Sequence, residues 1–429
     1  MSLTVRIIIV GILLLLIDWY FYQAVSTIFK GASAAKRNIV FYIYWGFTVL
    51  SFIVLLTPTI LPLHHWPQFL RVYLIALMIM IIISKLIGSV FILADDIIRL
   101  FRWLASYIIK PSMASTTVNT ELASDVQTIN PHAISRLKFI NYVAVGMAAL
   151  PFMSFIYGMM KGAYDYKVHK LKVVLPNLPS SFNGLKILQI SDIHSGSFVS
   201  TFHVEEAIKL VLKQNADIIF FTGDLVNNRA TETEPFIEIL SRLKAPMGVF
   251  SILGNHDYGD YVVWDSAEEK AKNLQDLKNI HAQLGWKLMM NEHVALRRGE
   301  DEIALIGIEN WGGNFNFPKY GDMKKAHKGT EKYPVKLLLS HDPSHWNKQV
   351  THDYKDVDIT FSGHTHGFQF GIEISGFRWS PSQYVYKQWA GLYKENNQYI
   401  YVNRGLGFLG YPGRVGILPE ITVMELSNS

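Results

Sequence analysis

Cysteine is absent from all 429 residues. No disulfide framework and no thiolate metal site is available, and the redox compartment stays open. A Lys/Arg-rich patch interleaved with aromatics is also missing, so nucleic acid is not an expected partner, although the net charge is +5. No internal repeat is visible. Charge is nearly missing from four long stretches. Ile7–Phe29 carries only Asp18, Ile39–Leu63 none, Val72–Ala94 only Lys85 and Phe139–Met160 none. A bilayer core needs about 20 apolar residues per helix, and each stretch supplies them. The first is too long, and too soon followed by a second, to be a cleaved signal peptide. Four buried core helices are the weaker alternative.

These runs predict an all-α four-helix transmembrane domain over residues 1–163, with spans at about 7–29, 39–63, 72–94 and 139–160. A lone charge inside a span is unfavourable and seeks a partner, so Asp18 and Lys85 are expected to pair. A proton or ion path is the sharper reading, but two residues are too few to carry it. After the third span, Ile97, Phe101, Leu104, Ala105, Ile108 and Ile109 share one helical face, with Arg99, Arg102 and Lys110 off it. That pattern predicts an interfacial helix over 97–110. Residues 111–135, rich in Ser, Thr and Asn, read as a loose loop.

From residue 164 to 429 the hydrophobic runs shorten and alternate with helix-like stretches, which predicts an α/β domain. Strands are expected at 185–190, 216–221, 248–253, 303–308, 335–339, 357–361, 399–402 and 421–426. Five of them run into polar clusters: Asp192-Ile-His194, Gly223-Asp224, Gly254-Asn-His-Asp257, His341 and Gly363-His-Thr-His-Gly367. In open α/β sheets, sites form beyond the carboxyl ends of strands. In an extended chain residues i and i+2 point the same way, so His364 with His366, and Asp192 with His194, would each face one site. Oxygen and nitrogen donors without sulfur suit Mn²⁺, Fe²⁺ or Zn²⁺. Seven donors exceed what one tetrahedral site takes. Two ions about 3.5–4 Å apart would use them, and a water between such ions can ionise near pH ~7 and attack phosphorus.

The five motifs, in this order, resemble the calcineurin-like metallophosphoesterase family over roughly Leu185 to the C-terminus. The resemblance implies a two-sheet α/β sandwich with two divalent ions at the strand tips, Mn²⁺ first and Fe²⁺ or Zn²⁺ as alternatives. It implies that Asp192, His194 and His366 hold one ion, Asn255, His341 and His364 the other, and that Asp224 bridges. His256 would contact the substrate phosphate and help the leaving oxygen depart, with Asp257 orienting it. Asn227 and Asn228 read as caps of the next helix. His293, His345 and His352 read as loop residues bonded to backbone.

The resemblance implies hydrolysis of a phosphoester or pyrophosphate bond by a metal-bridging hydroxide, on a membrane-associated or lipid-linked substrate. The membrane-linked branch it looks most like includes UDP-2,3-diacylglucosamine pyrophosphatases, which gives a narrower alternative. A membrane sensor or transporter with a binding-only domain is the competing class, and the presence of both His256 and Asp257 argues against it. Eight aromatic residues from Phe368 to Tyr393 leave the Gly363–Gly367 loop directly. They read either as a strand pair packed on the sheet or as an apolar wall for acyl chains or a bilayer-facing surface. Arg404 and Arg414 are candidates to meet a phosphate.

Location follows from the basic residues. Lys30, Lys36, Arg37, Arg99, Arg102, Lys110, Arg136 and Lys138 flank one side. Arg6 and Arg71, with Lys161, Lys167, Lys170 and Lys172 before the large domain, flank the other. The first group marks the cytoplasmic side, so the phosphoesterase domain is expected outside the cytoplasm, at the plasma (inner) membrane. A UDP-linked precursor would be expected on the opposite side.

Overall fold

A computed structural model describes residues 3–57, 66–108, 135–314 and 317–429. It divides into two compact units, Met1–Ser154 and Phe155–Ser429. The loop expected over 111–135, except Ser135, and the end of the second span beyond residue 57 lie outside the described residues.

The first unit is built from α1 (Leu3–Ile28), α2 (Ala34–Leu56), α3 (Gln68–Ile108) and the first part of α4 (Arg136–Met160). All four helices are long and apolar enough to cross a membrane. Phe21, Ala24, Ile92, Ala144 and Ala148 form its small core. A Cβ on Gly88 would collide with Phe21 and the Ala144 carbonyl; small residues are what let helices close in lipid. The expected pair is made: Lys85 Nζ lies 2.6 Å from Asp18 Oδ1. Tyr44 donates its hydroxyl to the Asp18 carbonyl at 2.8 Å, and its ring lies 4.3 Å from the ammonium.

One expectation needs correction. Residues 97–108 do not form a separate helix but continue α3, which runs 41 residues, or roughly 60 Å at ~1.5 Å per residue. Residues 94–97 contain no Gly or Pro to break it. Arg99 pairs back to Asp95 at 3.1 Å and to Asp96, at i,i+4 and i,i+3 spacing that reinforces a helix. Residues 109–110 of the expected helix lie outside the described residues.

The second unit is the expected two-sheet sandwich. The first sheet has the order β1 (Lys167–Val174), β14 (Glu420–Ser427), β2 (Lys186–Ile190), β3 (Ile218–Phe221), β4 (Val249–Ser251), β5 (Lys287–Leu288). The second has the order β12 (Gly391–Glu395), β13 (Gln398–Val402), β9 (Ile359–Ser362), β8 (Lys336–Leu339), β7 (Asp301–Gly307), β6 (Glu292–Arg298). A two-stranded hairpin, β10 (Ile372–Ile374) and β11 (Phe377–Trp379), belongs to neither.

The central strands are apolar on both faces because both faces are covered. Ile187, Phe220, Leu337, Leu339, Ile359 and Phe361 fill the space between the sheets. Their neighbours Leu188, Ile219 and Phe221 point outward onto the helices Thr201–Leu212 and Ala267–Gln283. Across the second sheet, Ile306, Leu338 and Ile400 meet Met323 and Trp346. Each such side chain contributes roughly 1.5–3 kcal/mol on burial, and Phe220→Ala would cost about 3–5 kcal/mol. β2, β3 and β4 run parallel, as do β7, β8, β9 and β13. The carboxyl ends of five parallel strands, β2, β3, β4, β8 and β9, lead into the five polar motifs.

Candidate metal centre

Asp192, His194 and His366 each place one donor atom within 4.8 Å of the others, and so do Asp224, His341 and His364. Nε2 of His194 and Nε2 of His366 are 3.0 Å apart, and Asp192 Oδ1 is 3.3 Å from the latter. In the second group, Asp224 Oδ2 is 3.1 Å from His341 Nε2 and 3.6 Å from His194 Nε2. One carboxylate oxygen thus lies between the groups. Asn255 Oδ1 completes the second group, 2.7 Å from His364 Nδ1 and 3.2 Å from His341 Nε2.

The i, i+2 spacing brings these residues together, but not through an extended chain. Asp192, His194, Asp224, His364 and His366 all have positive φ, between 49° and 72°. Left-handed backbone at non-glycine residues is uncommon and clusters at functional sites. The glycines make room. A Cβ on Gly254 would sit on the Asp224 carboxylate, and one on Gly223 (φ +98°) would lie 2.8 Å from His341 Nδ1.

Burial holds His194 neutral, with its pKa lowered to about 3, and lowers His364 to about 4. Burial and the neighbouring His194 press His366 well below its ordinary value. Burial pushes Asp192 up to about 7. His341 is the exception: burial acts to lower it, but the Asp224 and Asp192 carboxylates carry it up to about 10. Neutral imidazoles whose lone pairs converge on carboxylates form a donor set that fits divalent cations.

The surrounding contacts aim the donors. His341 donates Nδ1–H to the Thr222 carbonyl at 2.7 Å, which turns Nε2 inward. His194 Nδ1 lies 3.1 Å from Asn227 Oδ1, and His256 Nδ1 lies 2.8 Å from the Asn227 carbonyl. Asn227 is therefore no mere helix cap: one residue positions two histidines. Only its nearness to Asp224 marked it in the sequence. Tyr386 Oη, 2.7 Å from His364 Nε2, stood in the sequence only as one of the aromatic run, and Tyr261 Oη, 2.8 Å from Asn255 Nδ2, carried no signal of its own.

Two further expectations are corrected. Asp257 does not touch the His256 ring. Its carboxylate accepts backbone N–H groups of Gly254, Asp224, Leu225 and Val226 at 2.8–3.2 Å, so it fixes the loops that carry Asn255 and Asp224. Neither arginine is available to a phosphate. Arg404 pairs with Glu420 and, at 2.5 Å, with Glu373. Arg414 is fully buried and donates to the carbonyls of Arg404, Gly405 and Gly407. His293 bonds a backbone carbonyl as expected, whereas His345 bonds the Ser340 and Gln349 side chains.

His194, Asp224, Asn255, His256, His364 and His366 line the polar floor of a cleft of about 490 Å³. Its walls are aromatic and apolar, with Tyr261, Phe317, Phe368, Leu409 and Tyr411 among them.

Residues 185–368 match the family described as "Calcineurin-like phosphoesterase", and residues 5–163 match "Probable Calcineurin-like phosphoesterase, transmembrane domain". The uncharacterized metallophosphoesterase YkuE of Bacillus subtilis is 31% identical over 61% of this chain and 85% of its own length. This chain belongs to the calcineurin-like metallophosphoesterases. It is a membrane-anchored member. It is 31% identical to the Danio rerio "Transmembrane protein with metallophosphoesterase domain" over 64% of this chain and 60% of that one. The match thus spans about three-fifths of that relative's length. It is also 27% identical to the UDP-2,3-diacylglucosamine pyrophosphatase LpxG of Chlamydia trachomatis, over 62% of this chain and 93% of that protein.

Proposed function

We propose that this metallophosphoesterase is a two-metal hydrolase of a phosphoester or pyrophosphate bond in a membrane-associated, lipid-linked substrate. The observation that carries the reading is the position of Asp224 Oδ2 between two separate donor groups. Asp192, His194 and His366 would hold one divalent ion, Asn255, His341 and His364 the second, and Asp224 would be shared. Mn²⁺ is the first choice, with Fe²⁺ or Zn²⁺ as alternatives. When bound, such ions supply positive charge for the phosphate oxygens and an ionised water near pH ~7.

The remaining work falls to the protein. The Asn227 carbonyl holds His256 at Nδ1–H and leaves Nε2 on the cleft. A proton at that Nε2 goes to the leaving oxygen. Asp257 keeps Asp224 in register through its N–H, and Asn255 through the N–H of the preceding Gly254. Tyr386 fixes Nε2 of His364, which turns Nδ1 toward Asn255 Oδ1 and His341 Nε2, where the second ion would sit. The aromatic walls thin the water around the phosphorus, which strengthens every charge interaction there.

The test is a phosphate-release screen of the detergent-solubilised protein with Mn²⁺, comparing lipid-linked with soluble phosphoesters. Turnover of lipid-linked esters supports the reading. Metal binding with no hydrolysis of any phosphoester would leave a binding-only domain. The similarity to LpxG supports a second reading, a UDP-linked diacylated glucosamine as substrate. The basic residues of the short loops support a catalytic domain on the non-cytoplasmic side of the plasma membrane, and that placement disfavours a UDP-linked precursor. A reporter fused after Ser429 decides between them: cytoplasmic activity of the reporter would reverse the placement and favour the UDP-lipid.

A further inference from the structure

The hairpin β10–β11 stands outside both sheets and has two unlike faces. Its register pairs Ile372 with Trp379, Glu373 with Arg378, and Ile374 with Phe377 around Ser375-Gly376. Alternation therefore sorts its side chains completely. Glu373 and Arg378 turn toward the body of the domain. Glu373 reaches Arg404 at 2.5 Å, and the Arg378 guanidinium lies 5.0 Å from the Trp389 ring. The other face carries Ile372, Ile374 and Phe377, which are 49%, 65% and 52% exposed, together with Trp379. The charges are anchored inward and the apolar groups are left outside, the reverse of what a surface in water favours.

Inside the second unit this face is continuous with the end of the fourth span. Phe370 follows the alternation of Ile372 and Ile374, and its ring lies 5.8 Å from Phe155 in the last turns of α4 and 6.5 Å from Trp379. Tyr411 bonds the Phe155 carbonyl, and the Arg414 N–H bonds the Gly158 carbonyl at 3.2 Å. A Cβ on Gly158 would strike Tyr411 and Val415. The final turns of a membrane-spanning helix thus pack against the root of the hairpin. The same root belongs to the metal loop: Ser380 bonds the Gly367 carbonyl at 2.7 Å, and Phe368 and Tyr411 both line the cleft.

We propose that the apolar face Ile372/Ile374/Phe377/Trp379 lies in the lipid bilayer at the boundary of headgroups and acyl chains, and holds the metal cleft at the membrane surface. The occupant is lipid because the patch runs on from a segment that leaves lipid. Trp379 Nε1 bonds Tyr384 Oη at 3.3 Å, and Tyr384 is exposed; Trp and Tyr with wet polar tips favour this depth. The proposal deepens the lipid-linked reading above. A phosphate raised from a bilayer meets the cleft by way of Phe368 and Tyr411, without leaving the membrane.

The cysteine-free chain allows a direct test that needs no turnover, so its failure is distinct from a failure of the hydrolase reading. The full chain carrying Ile374→Cys is labelled with an environment-sensitive fluorophore and placed in phosphatidylcholine/phosphatidylglycerol nanodiscs. Glu300→Cys is the control: it lies in the exposed turn between β6 and β7, at the opposite end of the second sheet from the metal loops. The proposal expects a blue-shifted label at 374 that is quenched by lipids with a nitroxide near the headgroup, and neither effect at 300. Equal exposure of both labels to an aqueous quencher overturns it. Shielding at 374 that ignores the lipid quencher and depends on protein concentration also overturns it, by showing a second copy on the face. A companion variant, Phe377→Ser, keeps cleavage of a soluble aryl phosphodiester and loses activity selectively on bilayer-embedded substrate.

Discussion

The two units bury charge in opposite ways. In the helical unit, Asp18 and Lys85 make a closed pair at 2.6 Å, with Tyr44 beside it and Thr48 Oγ1 at 3.4 Å from the ammonium. In the sandwich, Asp192, Asp224 and four histidines converge on one another from separate strand ends. The first arrangement satisfies itself. The second gathers two donor groups of a kind that fits divalent cations. Buried charge alone therefore marks no function; buried metal-type donors from several strand ends gathered within a few ångströms do.

The comparison can be broken at either end. The largest effect expected short of losing the ions is on chemistry. His256→Ala should keep its metals yet slow the turnover of esters with poor leaving groups by about 10²–10⁴-fold, read as initial rates on an alkyl phosphate ester. Unchanged rates would remove His256 from proton transfer. In the closed pair, Lys85→Met leaves a buried carboxylate alone and should cost about 3–5 kcal/mol. The double variant Asp18→Asn/Lys85→Met should recover most of that. Unfolding in detergent measures both, and a double variant no better than the single would mean the pair does more than satisfy itself.

Glu420 supplies a third contrast, a closed pair inside the sandwich. Burial raises its pKa, but Arg404 and the neighbouring donors outweigh burial and bring it to about 2. A carboxylate depressed on folding stabilises above its unfolded value and loses that stability as pH falls through the folded one. The window runs from about pH 4.5 down to about 2 and is worth about 3 kcal/mol. Urea midpoints at pH 7 and pH 3 should fall accordingly, and Glu420→Gln should flatten the difference. The smallest effect is positional. Asn227→Ala should cost about 10–100-fold in metal affinity or rate, because His194 loses its Nδ1 partner. Competition with a graded chelator measures it, and unaltered affinity together with an unaltered rate would return Asn227 to the role of a cap.

The metal motifs were legible because each pairs a strand end with a residue of specific chemistry, and the Asp18–Lys85 pair because two charges stood alone in apolar runs. What escaped lacked such contrast. β1 carries Lys167, Lys170 and Lys172 along a sheet edge, a device that blunts edges and hides the strand pattern. Residues 97–108 looked separate because Asp95-Asp96 interrupts the hydropathy, whereas those carboxylates prolong the helix through Arg99. The left-handed turns at His364 and His366 are invisible to a rule written for extended chain. Asn227 holds His256 through its backbone carbonyl, and Asp257 acts on backbone N–H groups, contacts that leave no trace in side-chain spacing.

Metal content tests the central claim most directly. Mass spectrometry of the purified chain should find two divalent ions per molecule, and Asp224→Asn should lose both ions together with activity, since its carboxylate would serve both groups. Two ions retained with full turnover in Asp224→Asn would contradict the account.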